Sequence, residues 1–247
     1  MNETPLKLSI ILPIYNEVAS VRQLLNMVWL QPVLNLEKEL IIIESNSTDG
    51  TREIVKRFVS AHAGVKLILQ PKPRGKGNAV REGFIAATGD IILIQDGDLE
   101  YDTKDYPLLI QPILDGKTDF VLGSRHLAAG SWKIRNFGNT KIRSLLMNFG
   151  GIFFHGVFNL VYGQSLTDPT TMYKVFRRRC LENLHLVSDR FDFDFELLGK
   201  LIRAGYTPFE VPILYSSRGF QDGKKIRVFR DPFTWIWAIF RFRFGKI

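Results

Sequence analysis

Short apolar runs alternate with amphipathic stretches through the first half of the chain. Residues 8–12, 40–44, 65–69 and 90–95 are largely apolar over lengths that suit a buried strand. Between them, 17–29, 52–61 and 77–87 follow the helical period. Ser47-Thr48-Asp49-Gly50-Thr51 reads as a turn feeding the second helix, with Asp49 or Thr48 placed to cap it. This βαβαβαβ order predicts an α/β fold, a mostly parallel twisted sheet with helices on both faces. In such sheets ligands bind beyond the carboxyl ends of the strands. Three of those ends carry polar groups: Pro13-Ile14-Tyr15-Asn16-Glu17, Glu44-Ser45-Asn46-Ser47 and Gln95-Asp96-Gly97-Asp98.

The texture changes after Gly123-Ser124-Arg125. Residues 133–143 are basic and polar, and 145–162 are rich in Phe, Gly, Leu and Val but broken by Asn148, His155 and Asn159. The stretch 191–204 opens with Asp192, Asp194 and Glu196, acids that favour a helix N-terminus, and then becomes helical. A tail over 231–244 mixes aromatic residues with arginine. Without repeats, low-complexity tracts or obvious linkers, residues 1–247 read as one domain with two functionally distinct parts, 6–125 and 126–247.

At 45% hydrophobic residues the chain can bury a sizeable core, and 23% charged residues is ordinary. Its net charge of +8 points to an anionic partner: nucleotide phosphates, nucleic acid or an acidic membrane surface. The single cysteine, Cys180, excludes an internal disulfide and a thiolate zinc cage, and suits a reducing compartment. The N-terminus lacks a basic signal-peptide start, and no window of about 20 residues is free enough of polar groups to read as a membrane span. These features predict a chain kept in the cytoplasm, with contact to a membrane left open.

Two common nucleotide signatures fail. Gly75-Lys76-Gly77-Asn78-Ala79-Val80 does not satisfy Gly-x-Gly-x-x-Gly, and no Gly-Lys-Ser or Gly-Lys-Thr occurs. Asp96 and Asp98 offer different chemistry. Side chains alternate along a strand, so two acids one residue apart share a face or turn together into the loop beyond. Carboxylates that close repel unless a cation lies between them. A hard divalent ion, Mg2+ or Mn2+, takes one or two protein carboxylates and completes its shell with phosphate oxygens.

Taken in order, Pro13-Ile14-Tyr15-Asn16-Glu17, Glu44-Ser45-Asn46-Ser47-Thr48-Asp49-Gly50-Thr51, Arg74-Gly75-Lys76-Gly77-Asn78-Ala79 and Asp96-Gly97-Asp98 resemble the motifs of family 2 inverting glycosyltransferases of the GT-A fold. The resemblance continues through Gly123-Ser124-Arg125, Asp168-Pro169-Thr170-Thr171 and Glu210-Val211-Pro212-Ile213. It ends at Arg218 with Gly223-Lys224-Lys225-Ile226, similar to the dolichyl-phosphate mannosyltransferase branch. It implies a nucleotide-sugar-binding half over 6–125 and an acceptor-side half over 126–247. Pro13, Tyr15 and Glu17 would form the first wall of the nucleotide pocket, and Glu44 would contact the base. Ser45 stands where relatives often carry a second Asp. Asp96 and Asp98 would hold the diphosphate through the metal, with Glu100 as a further ligand. Arg125 would lie near the phosphates, with Lys76, Arg135, Arg143, Arg218 and Lys225 in the same anionic region.

The implied reaction moves a sugar from a GDP- or UDP-linked donor to a polyprenyl phosphate at the cytoplasmic membrane face. Such an acceptor is anionic at neutral pH, its second pKa being near ~6, so it needs orientation more than a general base. A sugar-hydroxyl acceptor would instead need a base, for which Asp168, Asp194 or Glu196 are the candidates. The 145–162 stretch would line an isoprenoid groove and the aromatic-basic tail would meet the membrane. Since the sequence stops soon after that tail, a transmembrane partner would be a separate polypeptide. A sugar-phosphate nucleotidyltransferase is disfavoured by Pro13-Ile14-Tyr15-Asn16-Glu17, where a Gly-rich basic loop would be expected. A basic nucleic-acid or membrane adaptor would leave the acidic strand ends without a role.

Overall fold

The structure is a computed structural model that describes residues 5–135, 141–217 and 231–245, the side chains of 141–143 and 231–233 excepted. Four parallel strands form one part of its sheet: β1 (Lys7–Ile14), β2 (Glu37–Glu44), β3 (Lys66–Leu69) and β4 (Ile91–Ile94). Leu8, Ile10, Ile11, Leu12, Ile41, Ile42, Ile43 and Ile91 to Ile94 are fully buried. That is why these strands read as continuous apolar runs, since a parallel sheet is covered on both faces. Each such side chain contributes about 1.5–3 kcal/mol on burial. Helices α1 (Val21–Leu30), α2 (Thr51–Ala61) and α3 (Lys76–Ala86) alternate with the strands as the pattern predicts.

Two helix starts differ from expectation in an informative way. The first helix begins at Val21, four residues later than the periodicity suggests. Asn16 takes a left-handed backbone (φ 48°), and the N–H groups of Asn16, Glu17 and Val18 donate to Ser47, Thr51 and Asp49 in the turn from β2 into α2. Those cross-links hold 16–18 as a loop. At α2, Gly50 occupies the capping position in the left-handed region, and Asp49 Oδ1 accepts from the Thr51 N–H at 3.0 Å.

Beyond β4 come α4 (Tyr106–Leu114), β5 (Phe120–Ser124), the short α5 (Arg125–Ala129), α6 (Lys141–Tyr162), β6 (Lys174–Arg177), α7 (Phe193–Arg203), β7 (Phe209–Pro212) and α8 (Asp231–Phe244). The sheet order is β3-β2-β1-β4-β6-β5-β7. β6 lies antiparallel between β4 and β5. Thus β5 points the same way as β4, and the entrance to β6 lies at the same sheet edge as the carboxyl ends of β1, β2, β4 and β5. One edge therefore collects Pro13–Glu17, Asp96–Glu100, Ser124-Arg125 and the 168–174 segment.

α6 packs lengthwise on the domain. Asn148 exchanges two hydrogen bonds with the Arg135 backbone (3.0 and 2.9 Å), and Asn159 does the same with Leu166 (2.8 and 3.1 Å). His155 Nε2 lies 3.0 Å from Thr170 Oγ1. The polar residues that interrupt this stretch in the sequence thus occupy its inner face. Contrary to the expectation that no window would pass as a membrane span, Ser144–Tyr162 is apolar enough by length and composition to cross one, and 22% of it is buried. Its outer face exposes Leu145, Leu146, Phe149, Ile152, Phe153 and Leu160.

Candidate active site

Gln95, immediately after β4, is fixed by the hydroxyls of Tyr106 and Tyr173, both donating to its Oε1 at 2.8 Å. The chain then turns through Asp96-Gly97-Asp98. A Cβ at Gly97 would stand 2.7 Å from the Pro13 carbonyl, so the loop passes the end of β1 only because the residue between the acids is glycine. Asp98 Oδ1 accepts from the Glu100 N–H at 3.0 Å, and Tyr215 donates to Glu100 Oε2 at 2.8 Å. Asp96 is ion-paired with Lys76, the first residue of α3. Burial alone would push the Lys76 ammonium down, but Asp96, Asp194 and Asp98 outweigh it and hold it above its ordinary value.

These groups face a cavity of about 800 Å3. Its walls include Pro13, Tyr15, Glu17, Lys76, Asp96, Asp98, Glu100, Arg125 and Arg135, so nine of the residues expected at the site meet there. Two others do not line it. Glu44 is fully buried, paired with Arg52 and accepting from the Ser47 N–H at 2.7 Å, and its neighbour Ser45 reaches the cavity instead. Asp168 lies behind Arg125. Its carboxylate accepts from the Arg125 N–H (3.1 Å), Nε (2.6 Å) and NH2 (2.7 Å). Burial would raise its pKa, but the guanidinium holds it well below the usual carboxylate range. Arg143 lies among the residues whose side chains are not described, and Arg218 and Lys225 fall outside the described residues.

The three base candidates separate cleanly. Asp168 is committed to Arg125. Glu196 is fully buried and accepts from the N–H groups of Val187 and Ser188 while pairing with Lys200 at 2.9 Å. Asp194 alone lines the cavity, 3.3 Å from the ammonium of buried Lys174.

One participant, Tyr215, carries no sequence signal by itself. Tyr215 places its ring 5.0 Å from the Arg125 guanidinium while its hydroxyl reaches Glu100. Leu146, Met147 and Phe154 of α6 and Trp235 of α8 give the same cavity an apolar wall. Arg135 lines it too, donating from NH1 to the Met147 carbonyl (2.9 Å), with no carboxylate in ion-pair range among the described residues. Burial and the nearby Arg125 lower its pKa, as expected for a cation short of counter-charge.

Among the described residues, two groups around the cavity have ligand types suited to a metal. His126, His155 and Asp168 bring their ligand atoms within 4.8 Å of one another. Both Asp168 oxygens already accept from a guanidinium, so a cation there would face a buried positive charge, and the set does not fit. Asp96, Asp98 and Glu100 fit better: acceptor-only oxygens on one loop, facing a cavity, with a cation already drawn to Asp96.

Residues 9–184 match the family model described as glycosyl transferase family 2. The chain is 28% identical over 223 residues to a dolichol-phosphate mannosyltransferase of Pyrococcus furiosus, covering 90% of this chain and 61% of that protein. It is 28% identical over 227 residues to a dolichyl-phosphate beta-glucosyltransferase of Trichomonas vaginalis, covering 85% and 64%. The chain thus spans less than two thirds of the length of these two relatives. Among solved structures, glucosyl-3-phosphoglycerate synthase from Mycobacterium tuberculosis, in complex with Mg2+ and uridine diphosphate, superposes with a TM-score of 0.69 at 18% identity, covering 98% of this chain and 81% of that one. At that identity the likeness is one of fold, the GT-A arrangement.

Proposed function

The chain belongs to glycosyl transferase family 2, and on that premise we propose that it transfers a sugar from a nucleotide donor to a polyprenyl phosphate at the cytoplasmic face of a membrane. The observation that carries this reading is Arg135, a cavity-lining cation without a carboxylate partner among the described residues, set against the apolar wall of Met147, Phe154 and Trp235. A phosphate with a hydrocarbon tail matches both surfaces. The dolichol-phosphate names of the relatives support the same acceptor class, and the uridine diphosphate and Mg2+ of the structural neighbour support the donor class.

Asp96 and Asp98, with Glu100 beside them, would hold Mg2+ or Mn2+, which when bound supplies Lewis-acid stabilisation to a departing diphosphate. The protein's own contribution is positional. Gly97 lets the acidic loop pass β1, and the pair of tyrosine hydroxyls on Gln95 fixes where that loop begins. Pro13, Tyr15 and Glu17 wall the nucleotide side. Arg125, neutralised by Asp168, supplies a fixed dipole, while Arg135 offers its charge to an anionic acceptor. A lipid phosphate attacks without losing a proton, which agrees with two of the three candidate bases being consumed by structural bonds. A second reading, transfer to a sugar hydroxyl, has one observation in its favour: Asp194 faces the cavity.

The test is a panel of UDP- and GDP-sugars with Mn2+ or Mg2+, scored for transfer to polyprenyl phosphate and to saccharides. Transfer to the lipid phosphate, lost with EDTA and in Asp98→Ala while the fold persists, is the expected outcome. Activity confined to saccharide acceptors would establish the second reading in its place.

A further inference from the structure

Lys76 occupies an unusual place for a salt-bridging lysine. It opens α3, and the backbone on either side of it is pressed against the segment leading into α7. A Cβ at Gly75 would stand 2.3 Å from the Asp189 carbonyl oxygen, and one at Gly77 would stand 2.4 Å from that of Ser188 and 2.6 Å from Phe193 Cβ. The Asn78 N–H donates to the Asp189 carbonyl at 3.2 Å, and Arg81 pairs with the Asp189 carboxylate at 2.5 Å. The ammonium is therefore delivered from a fixed base, with the side chain only 16% exposed, onto Asp96, itself 15% exposed. A pair so enclosed is screened far less than one on the surface.

That contact has a consequence for the acidic loop. Asp96 is a proposed metal ligand, and its carboxylate is already neutralised from within. A divalent ion arriving alone must displace the ammonium or share the carboxylate with it, a repulsion that falls on metal affinity. A diphosphate arriving with the ion changes the balance, because its oxygens offer Lys76 a new anionic partner within the same cavity.

Resting on the proposed nucleotide-sugar reading, we infer that Lys76 is an internal counter-cation that keeps the acidic loop from binding a divalent ion alone and makes metal and nucleoside diphosphate bind together. The coupling is reciprocal: each ligand raises the affinity of the other by the same factor. Lys76 is thus a positioning residue with two states, on Asp96 when the cavity holds no diphosphate and on the diphosphate when it does.

The experiment is a calorimetric titration of Mn2+ into the whole chain, alone and with saturating UDP or GDP, for the native protein, Lys76→Met and Lys76→Arg. In the native protein the nucleotide should tighten Mn2+ binding at least about tenfold, as expected for relief of a close like-charge contact. Lys76→Met should bind Mn2+ alone at least about tenfold tighter and lose most of that coupling, whereas Lys76→Arg, which keeps the charge, should stay close to the native values. Unchanged or weaker Mn2+ binding by a folded Lys76→Met overturns the inference. So does a native protein that binds the nucleotide yet binds Mn2+ equally well with and without it, an arm that needs no variant to fold. Failure of both nucleotides to bind would overturn the nucleotide-sugar reading instead, while the Mn2+-alone comparison would still decide the role of Lys76 on the acidic loop.

Discussion

Arg125 and Asp168 are almost wholly buried, and each keeps the other charged. Removing one partner strands the other, which costs about 3–5 kcal/mol in such pairs. Arg125→Met should therefore lower stability by about that amount in a urea melt, and a smaller loss would mean that solvent reaches Asp168. Their neighbour His155 sets an acid limit. Burial pushes its imidazole from 6.5 down to about 4, so it is neutral in the fold. Between those values the unfolded chain takes up a proton that the folded chain refuses, and stability falls as pH drops across that window. Glu39 contributes lower on the scale. Burial would raise its pKa, but hydrogen bonds from Lys66, Ser9 and Thr88 bring it from 4.5 to about 2, so its stabilisation is complete above the higher value and disappears towards the lower. Melting temperature against pH should show a decline beginning near 6.5 and a steeper one below about 4. His155→Gln should flatten the first segment; an unaltered profile would assign that segment to other groups.

α6 shows how one element serves two surroundings. Along it, Asn148, His155 and Asn159 recur at seven and four residues, a single face of a helix, and each is bonded to the domain. Leu145, Phe149, Ile152 and Phe153 recur along the neighbouring flank of the helix and are exposed. In the sequence the polar residues look like interruptions of an apolar run, because a linear window averages over both faces. Only the packing of α6 shows that they point inward and leave a continuous apolar strip. Trp237, Phe240 and Phe244 of α8 are exposed as well, close in sequence to Arg241 and Arg243, a composition suited to a headgroup layer. The double change Phe149→Glu and Phe153→Glu should weaken sedimentation with anionic phospholipid vesicles at least about tenfold, given the area removed from burial, and leave the melting temperature nearly unchanged. Equal sedimentation would show that this strip carries no membrane binding.

At the scale of the whole molecule, the strands β1 to β4, the helices between them and the acidic loop were legible in the chain. A parallel strand buried on both faces must be a continuous apolar run, a crossover helix must carry the 3.6-residue period, and functional acids must stand where strands end. The family motifs, spread from Pro13 to Ile226, carry the fold class in residue identities alone. What the chain does not encode locally is adjacency. β6 enters between β4 and β5 against the direction of both, so Asp168 meets Arg125 across 43 residues and Tyr215 meets Glu100 across 115. The partners of Glu44, Asp168 and Glu196 are likewise matters of packing: Arg52 and the Ser47 N–H, Arg125, and Lys200 with the Val187 and Ser188 N–H groups. Residue types and their order determined which chemistry is present, because they are properties of each position. Tertiary structure decided which carboxylates remain to do it, because a buried charge is defined by its neighbours, and those neighbours are distant in the chain.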